Sequence, residues 1–530
     1  MLESLNGQQV LVLGLGASGL SMARWCVRAG AAVTVVDTRE APPQLSMLRE
    51  TLPQAQFVHA ALHADLVQGT AVRAVFTSPG LSPQETQDVV NAATAMGLWV
   101  GSELSLFAHA LAELRQTQHY EPKVLAVTGT NGKTTVTSLT HHLVQWAGKR
   151  AAMAGNIGPA LLDTLAQALD AQSLPEVWVL ELSSFQLNLP AAFEPTAATV
   201  LNITQDHLDW HGDMVAYAQA KSHIFGQHGV MVLNRDDPAV MAMLSTAAQP
   251  QGAKAPLGGS AAHAVASVGA SKPALAKGVA PRQWVSFGSD MPQRPGDFGL
   301  ETVNGMVWLV RALEADETRR RRKDAEPELF FQRLMPMDAL RIRGRHNASN
   351  ALAALALTVH AGCALAPILF GLREYRGEPH RVEPIGMLGE VEFFDDSKGT
   401  NVGATVAALQ GLGAERKVVV ILGGEGKGQD FAPLAEPVAR YARAVVLIGR
   451  DAPRIRAALE ETGVGLEDAS SMQDAVARAN QRAHAGDAVL MSPACASFDM
   501  FDNYEHRAQV FCAAVRDLAL EQGVDLEHMA

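Results

Sequence analysis

The stretch Lys123 to Thr135, KVLAVTGTNGKTT, constrains the fold more than any other part of the chain. Val124 to Thr128 is an apolar and β-branched run of strand length. Gly129, Gly132, Lys133 and Thr134 follow at once, ahead of a helix-compatible run from Val136 to Ala147. Strand, glycine turn and helix in that order make an anion cradle. Glycine lets the backbone curl so that several N–H groups face one phosphate, and the helix start adds its positive dipole end. The expected ATP-binding loop is Gly129, Thr130, Asn131, Gly132, Lys133, Thr134 and Thr135, with Lys133 on the terminal phosphates and a threonine hydroxyl on Mg²⁺. Val127 stands where the usual pattern has its first glycine, so only the Gly-Lys-Thr half is regular. The bland alternative, a turn with an incidental lysine, is disfavoured by the strand before it and the helix after it.

A second glycine signature lies near the N-terminus. Gln9 to Leu13 is an apolar strand, and Gly14-x-Gly16-x-x-Gly19 opens a helix that stops at Gly30. A strand from Ala32 to Val36 then ends in Asp37. Read alone this is a nicotinamide-dinucleotide fingerprint, with the acid placed for a ribose hydroxyl. Its physics asks only for a diphosphate at a helix N-terminus and a sugar or base at the next strand's end, which any nucleotide diphosphate satisfies. Ala74 to Thr77 is a further strand, ending in Ser78-Pro79-Gly80, either an ordinary turn or a ligand contact at the same sheet edge.

The 530 residues suffice for about three domains. Alanine, valine, leucine and glycine dominate and aromatics are only 5%, which predicts an α/β fold of helices on parallel sheets. A net charge of −12 gives no general attraction to nucleic acid or anionic membrane. Cys26, Cys363, Cys495 and Cys512 lack metal-ligand spacing and are too few for a disulfide framework. With no signal-peptide pattern and no run of membrane-span length, the expectation is a cytoplasmic protein.

Polar Glu113 to Pro122 reads as a linker, which puts the first domain boundary near 113 and the central domain at 114–376. In that domain Ala151 to Ala154 is a strand followed by Gly155-Asn156-Ile157-Gly158. Val177 to Leu180 is a buried strand that delivers Glu181 to its C-terminal end, where a carboxylate is well placed for Mg²⁺. Ala198 to Ile203 delivers Asp206, His207 and Asp209. Residues 244–280 are poor in large apolar side chains and read as a flexible insertion, either an inert linker or a partner site. Phe298 to Ala312 reads as a hairpin turning at Asn304-Gly305, and Arg319 to Lys323 as a solvated basic loop. Asn347 and Asn350 open an alanine-rich helix, as caps or as ligand contacts. Beyond the second boundary near Gly377, strands at 391–394, 417–422, 444–448 and 488–491 gather Asp395 to Asn401, Gly423 to Lys427 and Ser492 to Ser497 at their ends.

Taken together, GTNGKTT (129–135), GNIG (155–158), ELSSFQ (181–186), NITQDHLD (202–209), GRHNASNALAA (344–354), EPHR (378–381) and DDSKGTN (395–401) resemble the Mur ligases of peptidoglycan synthesis. GLGASGLS (14–21), SPG (78–80), LGGEGKGQDF (422–431) and SPACASFDMFDNYE (492–505) are most similar to the branch that adds D-glutamate. The resemblance implies a Rossmann-like N-terminal domain (1–113) holding a UDP-substrate, a central ATPase-type domain, and a Rossmann-like C-terminal domain (377–530). It implies that Leu15, Asp37, Thr38, Arg39, Ser78, Gly80, Asn156 and His207 contact UDP-N-acetylmuramoyl-L-alanine. Lys133, Asn347, Asn350, Arg381 and Asp396 would serve ATP, and Thr400, Lys427, Ser497, Phe498 and Tyr504 D-glutamate. Glu425 departs from the aspartate usual at its position.

Metal ligation falls by the same resemblance to Thr134, Glu181, His207 and Lys221, with two Mg²⁺ ions. Lys221 would be N-carboxylated, since an ammonium repels a cation that a carbamate oxygen binds. Lys133, His207 and Lys221 are the expected catalytic residues, with His207 either a base for the amine or a metal or substrate ligand. The implied partners are small molecules only, and the implied state is a monomer. Competing readings are another Mur-type or folylpolyglutamate-type ligase, a nicotinamide oxidoreductase that leaves Lys133 and Glu181 without a role, and a non-catalytic scaffold.

Overall fold

The apolar runs become the centres of three parallel or mostly parallel sheets in a computed structural model that describes residues 5–189, 191–246, 282–315, 328–342, 344–414 and 416–524. The first sheet holds β1 (Gln9–Leu13), β2 (Ala32–Asp37), β3 (Gln56–His59), β4 (Val72–Thr77) and β5 (Trp99–Gly101) in the order β3-β2-β1-β4-β5, all parallel. Strand order reverses beside β1, which opens a crevice at the carboxyl ends of β1 and β4. Gly19 must be glycine there. A Cβ on it would lie 2.0 Å from the Gly14 carbonyl oxygen, so the helix Ala17–Arg28 could not sit where it does.

The central strands are β6 (Lys123–Thr128), β7 (Ala151–Gly155), β8 (Val177–Glu181), β9 (Ala197–Val200), β10 (Val230–Asn234) and β11 (Trp284–Phe287). Parallel pairing links β11, β10, β9, β6 and β8 in that order. All of β8 is buried, as a strand covered on both faces requires. β9 stops at Val200, short of the expected Ile203. Beyond it the Ile203 N–H donates to Asp237 and the Leu201 carbonyl accepts from Asn234, so side chains take the bonds a neighbouring strand would have made.

β12 (Phe298–Val303) and β13 (Met306–Glu314) form the expected hairpin, with Asn304 and Gly305 both at positive φ, and β14 (Leu329–Pro336) extends it by a strand the sequence did not announce. The third sheet holds β15 (Glu383–Leu388), β16 (Val391–Asp395), β17 (Val418–Gly423), β18 (Ala442–Ile448), β19 (Gly465–Asp468) and β20 (Ala488–Met491). Its order is β15-β16-β20-β17-β18-β19, with only β15 antiparallel.

The linker expected at Glu113 to Pro122 is helical for half its length. The helix Glu103–Gln118 runs through it and ends at His119 in the left-handed region, because Leu114 still buries while its polar neighbours face water. The helix Pro238–Thr246 takes the first residues of the expected insertion; the remainder, and the basic run Arg319 to Lys323, lie outside the described residues. No helix among the described residues is long and apolar enough to cross a membrane.

By compactness the chain falls into two units. One is Met1–Thr128, Ala154–Ile203 and Ala218–Phe287; the other is Gly129–Met153, Thr204–Tyr217 and Gly288–Ala530. Within the first, the helices Ala17–Arg28 and Leu161–Asp170 are paired through Arg24–Asp163 (3.3 Å) and Arg28–Asp170 (2.6 Å). Within the second, the helix Lys133–Trp146 packs on the helix Leu365–Glu374. A Cβ on Gly371 would meet the Trp146 ring at 2.7 Å.

Candidate functional site

In the first unit the acid of the N-terminal fingerprint turns inward. Asp37 accepts from the Leu15 N–H at 2.7 Å, from the Arg39 N–H at 2.9 Å and from the Arg39 guanidinium at 2.8 Å. Burial alone would raise its carboxyl, but these hydrogen bonds prevail and hold it down at about 2. The anion therefore ties the glycine loop to the end of β2 and orients Arg39, while Thr38 and Arg39 remain exposed. Ser78 is buried, with its N–H on the Leu13 carbonyl, so it lies beside the loop across the crevice from β1; Gly80 is exposed.

At the end of β8, Glu181 is 1% exposed. Its Oε1 accepts from Asn156 Nδ2 at 2.7 Å, its carbonyl accepts the Asn156 N–H at 2.8 Å, and Oε2 is buried with no hydrogen-bond partner among the described residues. Gly155 permits this approach: a Cβ there would stand 2.3 Å from the Glu181 carbonyl oxygen. Lys221, in the helix Met214–Ser222, is 1% exposed, and its Nζ donates to Thr128 Oγ1 at 3.4 Å.

In the second unit Lys133 folds back over its own loop, donating to the Gly129 and Thr130 carbonyls at 2.9 Å each. Thr130 Oγ1 holds the loop to Thr204 and Tyr217, and Thr135 is buried in the first turn of the loop helix. Arg381 donates to Thr134 Oγ1 at 2.8 Å, which joins EPHR to the phosphate loop. Asp396 is buried. Burial pushes its carboxyl up to about 7, although Ser492 donates to it at 2.6 Å and the Arg381 charge opposes the rise. Asn347 and Asn350 are not caps: the helix Arg345–His360 is capped at Gly344 without a side-chain bond, and Asn350 donates to Asn347 across one turn at 3.1 Å. His207 starts the short helix Leu208–His211 at φ +53, 3.5 Å from Asp206.

The residues assigned to D-glutamate form two clusters. Lys427 Nζ stands 5.6 Å over the ring of Phe498, which is 64% exposed. Tyr504 packs near His380 and has Lys398 Nζ 5.1 Å over its ring. Ser497 is buried, and Thr400 is half-buried on the loop that follows β16. Glu425 is engaged by Arg450 at 2.6 Å.

Three family models match successive parts of the chain. The model described as "Mur ligase MurD-like, N-terminal domain" matches residues 8–101, "Mur ligase middle domain" matches 127–269, and "Mur ligase, glutamate ligase domain" matches 380–495. Over 529 residues, all of both chains, the sequence is 66% identical to a protein of Albidiferax ferrireducens named UDP-N-acetylmuramoylalanine--D-glutamate ligase. The chain belongs to the Mur ligase family. A Polaromonas protein of the same name is 57% identical over 99% of this Mur ligase and 100% of its own length. Among solved structures, MurF ligase from Thermotoga maritima in complex with ADP shares the fold with a TM-score of 0.55 at 15% identity, covering 98% of this chain and 97% of that one. MurF from Acinetobacter baumannii does so at 0.54 and 17%, covering 96% and 92%.

The donor set of this Mur ligase fits a hard divalent cation. Such ions take oxygen ligands, and a buried carboxylate oxygen without a partner, as at Glu181, is a costly group that a cation satisfies. Some charged groups that the fold buries or fixes carried only weak local signals. His380 sits at φ +63 with Nδ1 2.7 Å from buried Asp395, next to Arg381 in the chain. Arg507 is buried and donates to the Ser397 and Cys495 carbonyls, and burial lowers it to about 10. Glu103 is buried and accepts from the Leu162 N–H at 3.2 Å, and burial raises its carboxyl. A lone charge in a helical pattern reads as solvated, so neither Arg507 nor Glu103 was visible before folding.

Proposed function

We propose that this Mur ligase joins D-glutamate to UDP-N-acetylmuramoyl-L-alanine at the expense of ATP, as a cytoplasmic monomer in peptidoglycan precursor synthesis. The observation that carries the reading is 66% identity over the full length of a protein so named. Asp37, Arg39, Leu15, Thr38, Ser78 and Gly80 would bind the uridine diphosphate, with Asn156 and His207 on the sugar side. Gly129 to Thr135, Asn347, Asn350, Arg381 and Asp396 would bind ATP. Thr400, Lys427, Ser497, Phe498 and Tyr504 would hold D-glutamate.

In this reading the alanyl carboxylate attacks the γ-phosphorus of ATP, ADP leaves, and an acyl phosphate forms. The deprotonated amine of D-glutamate then attacks the acyl carbon, and phosphate departs with the C–O bonding pair. Lys133 and Arg381 bring positive charge to phosphoryl oxygens. Glu181, Thr134, His207 and N-carboxylated Lys221 would hold two Mg²⁺ ions, which would neutralise charge on the phosphates. His207, partly exposed and beside Asp206, either takes the amine proton or serves as a ligand.

The test is phosphate release from ATP with UDP-N-acetylmuramoyl-L-alanine and a panel of D- and L-amino acids. Release only with D-glutamate is expected. Release with a different amino acid would move the substrate within the family, and none at all would overturn ligase activity on this acceptor.

A further inference from the structure

Asn401 lies between the amino-acid side of the second unit and its phosphate loop, and it has a bond to each. Its Oδ1 accepts from the Ala404 N–H at 2.9 Å and so caps the helix Val402–Gly413, while its Nδ2 donates to Asn131 Oδ1 at 3.0 Å. Capping needs only an acceptor, which serine supplies as well; reaching Asn131 needs the amide donor. The contact is close-fitting and 91% of Asn401 is out of solvent, its exposure being 9%. Two residues later, a Cβ on Gly403 would come 3.0 Å from Asn131 Nδ2 and 3.3 Å from Thr204 Oγ1. The neighbouring backbone is tied toward the loop of Lys427, since the Val402 N–H donates to Gln429 Oε1 at 3.0 Å. Thr400, assigned above to D-glutamate, directly precedes Asn401.

We propose that Asn401 is a positioning residue that couples the seat of the amino acid to the phosphate loop, so that the acyl phosphate is attacked by amine rather than by water. The inference rests on the ligase reading given above. Productive attack forms a C–N bond, breaks the acyl C–O bond and releases phosphate, the amine losing a proton. Unproductive attack by water breaks the same bond and returns the carboxylate and phosphate, so ATP is spent without an amide. Arg381 makes the second bridge to the loop, through Thr134, but it belongs to the ATP machinery itself. Asn401 is assigned no ligand, and cutting its bridge should leave nucleotide binding intact while loosening the amine's approach.

The experiment compares wild type with Asn401→Ser, which keeps a cap and loses the reach, and with Gly403→Ala, whose methyl crowds Asn131 while favouring the helix. Phosphate and amide are measured in the same reaction, together with KM for ATP and thermal melting. The expected result is an unchanged KM for ATP in Asn401→Ser, which leaves the loop uncrowded, and an amide kcat down about tenfold in both variants. More than one phosphate should then be released per amide in both variants. A ratio of one with near-normal kcat in whichever variants keep the wild-type melting transition overturns the proposal. Absence of D-glutamate-dependent release in the wild type would instead overturn the ligase reading, so the two failures are separable.

Discussion

Asn156 Nδ2 donates to one oxygen of Glu181 at 2.7 Å, while the other oxygen of the same buried carboxylate has no partner among the described residues. A buried carboxyl oxygen without a partner is unfavourable, and a bound cation would satisfy it. Glu181→Gln should therefore lower phosphate release about a hundredfold or more while leaving the melting temperature equal or higher. Assays of release and of thermal unfolding on one preparation check both halves; an active, destabilised variant would mean that Glu181 is structural.

Lys221 is almost wholly buried, with Thr128 Oγ1 at 3.4 Å from its Nζ. If it acts as a carbamate, Lys221→Ala should be nearly inactive and should recover part of its turnover in added formate or acetate, whose oxygens substitute for the missing ligand. Near-normal activity without added carboxylate would refute N-carboxylation.

Asp37 and Arg39 separate binding from chemistry. Arg39→Ala should raise KM for the UDP-substrate about tenfold with kcat retained, because in the proposed reading the guanidinium, held by Asp37, serves the nucleotide rather than the reacting carboxylate. Asp37→Asn should also destabilise the protein at neutral pH. With the folded carboxyl held down at about 2, below its ordinary value, the stabilisation is complete above about 4 and fades as pH falls toward 2. Denaturant unfolding at several pH values reads the difference, which should shrink on acidification.

His346 has its Nδ1 buried without a partner among the described residues, and its ring lies against Gly344 and Gly411, where added Cβ atoms would come within 2.9 and 2.7 Å of Cε1. Burial pushes the imidazole down to about 4. The unfolded chain then binds the proton first, so this residue's contribution is fully present above about 6.5 and is lost as pH falls through 4. His346→Gln should flatten that part of the stability profile between pH 7 and 4; an unchanged slope would show that other groups set the acid transition.

The phosphate loop was legible because strand, glycines and helix start are contiguous, and β6 and the helix Lys133–Trp146 flank it in the fold. The same locality exposed β1 with its glycine loop, the Asn304-Gly305 hairpin and the acid at the end of β8. Where partners are remote the reading thinned out. Asn347 and Asn350 looked like possible caps, and the helix is capped by Gly344 instead. Glu113 began an apparent linker that is helical to Gln118.

By itself the sequence determined the three α/β sheets, the family and the residue types at the strand ends, since periodicity, glycine placement and short motifs are properties of neighbouring residues. Only the tertiary structure decided which remote groups meet. Arg381 reaches Thr134 across 247 positions and Asn401 reaches Asn131 across 270. It also decided that Asp37 bonds its own loop and that one oxygen of Glu181 is left over. Hydrogen bonds and burial depend on which surfaces pack together, and no local window of sequence contains that packing.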